Sequence, residues 1–160
     1  MNDERKHMTI ILFSNDLDKA MAAFILATGA ASAGIEVTMF FTFWGLSLLR
    51  KQAFRAPRKP FIESMFGWML PKGPAGTYLS KMHFLGAGTS MMKKVMRTKR
   101  MPPLKEFIDM AITMNVRLIA CTTSMGIMGI SREELIDPID IGGVATYLGK
   151  ARDCAINLFI

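Results

Sequence analysis

Four short apolar runs constrain this chain most: residues 8–13 (MTIILF), 35–42 (IEVTMFFT), 116–120 (VRLIA) and 155–160 (AINLFI). Each is rich in β-branched or aromatic residues and too brief for a helix of ordinary length. Residues 35–42 are apolar almost throughout, the pattern of a strand covered on both faces. Helical stretches separate them. Residues 19–33 are Ala-rich and stop at Gly34, while residues 103–114 place Leu104, Phe107, Ile108, Ala111 and Ile112 on one face. Shorter helical pieces are predicted at 44–53, 121–128, 132–136 and 142–153, the third opened by Ser131 with Glu134 three residues on. Strands alternating with helices predict an α/β fold: a mostly parallel sheet with helices on both faces.

The chain has 160 residues, half of them apolar, which excludes whole-chain disorder and suits one domain spanning residues 1–160. Its two cysteines, Cys121 and Cys154, cannot build a disulfide scaffold, and its two histidines, His7 and His83, stand far apart. No metal-ligand spacing and no cofactor motif is present, so neither a metal nor a cofactor is expected. The N-terminus is charged, and the longest uncharged stretch, residues 20–35, falls short of the roughly 20 apolar residues of a membrane span. A reducing, cytoplasmic setting is the expectation.

Charge is divided unevenly. The net +7 comes from residues 50–105, which hold 13 Lys or Arg against one acid, Glu63, whereas the rest of the chain is acidic. Seven of the 15 methionines lie in the same stretch. We read residues 54–102 as a basic, Met-rich, helical insert, with a short helix at 62–70 and a longer one at 80–100. The longer one lines up Met82, Leu85, Thr89, Met92 and Met96, and crowds Lys93, Lys94, Arg97, Lys99 and Arg100 at its end. A methionine stripe beside charges suits packing against another subunit, giving a homo-oligomer. A basic amphipathic helix also permits peripheral membrane contact, which ranks behind subunit packing. Nucleic acid is not expected, because few aromatics are interleaved with the charges.

In parallel sheets, ligands gather at the carboxyl ends of strands. Three such ends are legible: Ser14-Asn15-Asp16, Thr42-Phe43-Trp44-Gly45 and Cys121-Thr122-Thr123-Ser124. Only the third carries a nucleophile. A thiol where a strand hands over to a helix meets unpaired backbone N–H groups, which favour the thiolate. Thr122, Thr123, Ser124 and Gly126 are small enough to leave room for a second sulfur, and Met125 could screen it. Position alone leaves two readings open, a reactive thiol or a buried inert one. The first βα junction, FSNDLDKA, lacks the glycines of a dinucleotide site. Ser124 cannot act as a resolving thiol, so a disulfide cycle within Cys121–Ser124 is excluded. His83 is a candidate base and Lys72 a candidate anion contact.

Four segments in order resemble the DsrE/DsrF/DsrH-like family, in its Met-rich DsrE-like branch: MFFTFWGLSLLRK (39–51), MLPKGPAGTYLSKMHFLGAGTSMMKKVM (69–96), IACTTSMGIMGISREELID (119–137) and GGVATYL (142–148). The resemblance implies a three-layer α/β/α domain, oligomeric assembly and cytosolic sulfur relay. It implies that Cys121 holds sulfur from a small sulfane-sulfur donor as a persulfide or thiosulfonate, and exchanges it with a TusA-like carrier. Backbone N–H groups of residues 123–126 would stabilise the developing charge, with Ser14, Asn15, Asp16, Phe43, Trp44 and Gly45 as pocket rim. The alternative is a non-catalytic oligomeric scaffold that docks on an anionic partner or membrane through its basic insert.

Overall fold

In the computed structural model, residues 7–52, 65, 69–82 and 84–160 are described. The apolar runs become strands β1 (His7–Leu12), β2 (Glu36–Phe41), β3 (Arg117–Cys121) and β5 (Ile156–Phe159), joined by a three-residue strand β4 (Asp140–Gly142). They form one sheet in the order β4-β3-β2-β1-β5, and every pairing is parallel. The helices are α1 (Leu17–Ser32), α2 (Ala87–Thr98), α3 (Leu104–Thr113), α4 (Thr122–Met128) and α5 (Val144–Ala151).

Side chains alternate across the sheet, so the register sorts them into two cores. Met8, Ile10, Leu12, Val37, Met39, Phe41, Leu118 and Ala120 face α1 and α3 in the larger core. There the small residues Ala20, Ala23 and Ala27 let α1 and α3 lie side by side. On the opposite face Phe40, Ile119, Cys121 and Tyr147 of α5 make a smaller cluster. This asymmetry follows from topology. The chain steps from β1 to β2, β3 and β4 in one direction, and right-handed crossovers keep those connections on one face. It then returns past the whole sheet to β5, which puts α5 on the other face. The connections leaving β3 and β4 therefore diverge, and the crevice of a parallel sheet opens between these two strand ends.

The segment that leaves the frame after β2 is tied back firmly. Arg50 and Glu134, both buried, form an ion pair at 2.9 Å. Backbone bonds from Lys51 N–H to Glu134 O and from Ile136 N–H to Leu49 O flank it. Glu134 also accepts the Ser131 N–H at 3.1 Å, half of the expected capping box.

Three expectations change. The helix read at 80–100 begins only at Ala87, because Met82, Phe84, Leu85 and Gly86 all have positive φ and cannot continue a right-handed helix. The piece read at 44–53 is a 3₁₀ turn, Phe43–Leu49. Strand β4 had no sequence signal, since three residues are too few to show a period. The short helix read at 62–70 lies mostly outside the described residues.

Candidate functional site

Cys121 ends β3 and is the N-cap of α4, with extended backbone angles. Its thiol stands at the divergence between β3 and β4, where Cys121 pairs in register with Gly142. A Cβ on Gly142 would meet Thr146 Cγ2 at 3.0 Å and Ile119 Cγ2 at 3.1 Å, so a side chain here would push α5 and β3 apart by a few tenths of an ångström. Phe40 and Tyr147, whose rings are 5.1 Å apart, belong to the same cluster as Cys121.

Burial pushes this thiol up, since only 3% of the residue is exposed. The Ser124 N–H, the Ser124 hydroxyl, the Thr42 hydroxyl and the Thr123 N–H together outweigh it, and the net shift is downward. The two hydroxyls also bond each other at 2.7 Å. They come from neighbouring strand ends, and because each carries one proton, only one of the pair donates to the sulfur while they bond each other. Such a site holds an anionic sulfur in a mostly apolar surround.

The other expected residues divide. Ser124 is buried beside the thiol, while Thr122, Thr123 and Gly126 lie exposed on the outer side of α4. Met125, and Met128 with it, packs into the larger core rather than the cluster around Cys121. Phe43, Trp44 and Gly45 open the 3₁₀ turn that packs on α4. Gly45 is required there, because a Cβ would lie 2.1 Å from Leu12 O. Phe43 has a φ of 45° and stacks near Phe13, which lies near Phe159 in turn. Ser14, Asn15 and Asp16 follow β1, two strands from β3, so about 10 Å of sheet separates these strands. There the Ser14 hydroxyl accepts the Asp16 N–H and Asp16 pairs with Lys19. Lys72 is half-buried in a turn whose Gly73 N–H bonds Ser47 O at 2.8 Å. His83 lies outside the described residues. Among the described residues no cluster of His, Cys, Asp or Glu could hold a metal ion.

Sequence reasoning placed Thr42 at a candidate strand end without pairing it to Cys121, and missed Gly142 and Tyr147 as parts of this site. The signals were present, Thr42 at a strand end and the other two within GGVATYL, but their convergence on Cys121 is a long-range fact.

Cys154, by contrast, stands just beyond α5 and donates its thiol to Lys150 O at 3.0 Å. Burial, Asp153 and Glu36 push it up, against a smaller opposing effect of Lys150.

Known proteins resemble the chain along its whole length. It is 48% identical to the uncharacterized protein YrkE of Bacillus subtilis, covering all of both chains. It is 32% identical to the sulfur carrier protein DsrE2 of Allochromatium vinosum, over 98% of this chain and 99% of that one. The crystal structure of the ychN protein from E. coli shares the fold, with a TM-score of 0.53 and 12% identity over 96% of this chain and 99% of that one. The protein MTH1491 from Methanobacterium thermoautotrophicum does so too, with a TM-score of 0.52 and 10% identity over 96% and 98%. The family profile matches residues 4–159, so that a thiol at a strand-to-helix junction of a parallel sheet stands in a chain that belongs to the DsrE/DsrF/DrsH-like family.

Proposed function

We propose that this protein carries sulfane sulfur on Cys121 and relays it to a partner protein. The observation that carries the reading is the placement of Cys121 as N-cap of α4, where the Thr123 and Ser124 N–H groups and one hydroxyl of the Thr42–Ser124 pair favour thiolate despite burial. The sulfur carrier DsrE2 among the relatives supports it.

With a persulfide donor, the Cys121 thiolate attacks the outer, SH-bearing sulfur of R–S–SH. The Cys121 S–S bond forms, the donor's S–S bond breaks, and R–S⁻ departs, leaving Cys121–S–SH without net oxidation. With tetrathionate the same attack expels thiosulfate and leaves a thiosulfonate on Cys121. The Ser124 and Thr123 N–H groups stabilise negative charge on the bound sulfur. Burial admits a small linear donor more readily than a bulky one and screens the loaded sulfur from bulk thiols. No second thiol lies within α4, so unloading requires an external thiolate, such as that of a TusA-like carrier approaching the exposed Thr122, Thr123 and Gly126. Homo-oligomeric assembly, which the family resemblance implies, belongs to the same reading. The setting is cytoplasmic; no helix among the described residues is long and apolar enough to cross a membrane.

The test is the intact mass after incubation with polysulfide or tetrathionate, with and without reductant. The expected result is a reductant-sensitive gain of sulfur or thiosulfonate that vanishes in Cys121→Ser. No gain, or a gain that survives Cys121→Ser, overturns the reading.

A further inference from the structure

The basic Met-rich region carries a second feature that sulfur chemistry does not use. Residues 78–80 are fastened to α1: the Leu17 N–H bonds Tyr78 O at 2.6 Å, and Asp18 accepts the Ser80 N–H at 2.9 Å. Directly beyond this fastening the chain turns outward. Met82, Phe84 and Leu85 all take left-handed backbone angles, which apolar residues rarely adopt. Their side chains protrude rather than pack. Phe84 is 70% exposed, and Leu85, at 104%, stands fully clear of the protein. The following helix α2 continues the display, with Met91, Met92 and Val95 exposed on one flank and Lys94 and Arg97 on the other.

Cations lie along α2 and just before the protruding residues. Lys81, Lys94, Arg97, Lys99 and Arg100 are exposed and form no ion pair among the described residues. Residues 64–105 contain no acid at all. A second copy presenting the same face would set cations against cations. The outer face of α2, apolar along Met91 and Val95 and cationic along Lys94 and Arg97, continues from an apolar tip that follows Lys81, and it fits a different occupant, one that is apolar inside and anionic at its surface.

We propose that Met82, Phe84 and Leu85, with the outer face of α2, dock the protein on an anionic lipid surface. The side chains of Phe84, Leu85 and Met91 enter the boundary between headgroups and acyl chains, and these cations meet acidic headgroups. This reading is independent of sulfur carriage.

Flotation of the full chain with vesicles tests it, comparing phosphatidylcholine alone with phosphatidylcholine plus phosphatidylserine. Flotation is expected only with the serine lipid, and high salt should release it. Phe84→Asn with Leu85→Asn keeps residues that tolerate left-handed angles while removing the apolar tip. Lys94→Glu with Arg97→Glu reverses two surface cations. Each pair should weaken binding roughly tenfold or more, from the loss of apolar insertion or of attraction to the acidic headgroups. Circular dichroism and sulfur loading on Cys121 should remain unchanged in both, which separates a failure here from a failure of the carrier reading. Absence of flotation on serine-lipid vesicles overturns the proposal, as does flotation indifferent to both variant pairs. An oligomer in light scattering that the Asn pair dissociates would also overturn it, by showing that a second copy covers this face.

Discussion

Cys121 and Cys154 occupy opposite poles of two helices, and the protein treats them oppositely. Cys121 precedes α4 and meets N–H groups and hydroxyls, whereas Cys154 follows α5 and gives its own proton to a carbonyl. One thiol is drawn down although it is almost wholly buried; the other is held up although it is partly exposed. Burial raises both thiols, and the difference lies in what is added to it: donors at a helix start outweigh it at Cys121, whereas the carboxylates of Asp153 and Glu36 reinforce it at Cys154. A helix start offers donors, which an anion needs. A helix end offers acceptors, which a neutral thiol satisfies.

The most drastic way to break the comparison is to remove each sulfur. Sulfur loading should be lost entirely in Cys121→Ser and retained in Cys154→Ser, as read by intact mass. A smaller perturbation removes single donors. Ser124→Ala should lower the alkylation rate of Cys121 at neutral pH roughly tenfold, the worth of one hydrogen bond to a charged group. Thr42→Val, which keeps the shape, should lower it about threefold, the weak end of the range for an ordinary hydrogen bond, since Thr42 shares its proton with Ser124. The smallest change is expected at the other thiol. Asp153→Asn removes a carboxylate that holds Cys154 up and should raise its alkylation at neutral pH by less than about twofold, because Asp153 is solvent-exposed.

The pH dependence sharpens the same contrast. Cys121 ionises below its unfolded value, so its ionisation adds stability above that value, and the contribution disappears as pH falls through the folded pKa. Cys154 has the reverse sign and reduces stability as pH rises past its unfolded value. Thiolate absorbance measured against pH in the two single Cys→Ser variants should place the Cys121 midpoint below that of a free cysteine and the Cys154 midpoint above it. Coincident midpoints would mean that the helix poles do not distinguish the two.

Much of the frame was legible because its signals are local. The strand runs around Ile10, Met39 and Ile119 carry their β-character in consecutive residues, and the α3 stripe from Leu104 to Ile112 repeats at helical spacing. Cys121 was readable for the same reason, standing where an apolar run stops and small residues follow. The pocket rim was less legible. All three strand ends look alike in sequence, yet strand order places Thr42 next to Cys121 and leaves Ser14–Asp16 two strands off. Met125 was expected over the thiol and instead faces the larger core. The expected helix at 80–100 also shows the limit of periodicity. The apolar spacing of Met82 and Leu85 suited a helix, but the backbone there is left-handed and turns those side chains outward.

By itself, then, the sequence determined four of the five strands and the helices α1 and α3, where the basic charge concentrates and which thiol ends a strand. Each of these depends on residues within about two helical turns of one another. Tertiary structure alone decided that Glu134, readable as a helix cap, also pairs with Arg50 across 84 residues, and that Thr42 and Ser124 meet at 2.7 Å beside the sulfur. It also decided that β4 and α5 complete the crevice around Cys121. The physical reason is that contacts between distant segments are set by strand order and crossover hand. A linear pattern of hydrophobicity records which face of an element is buried, not which neighbour buries it.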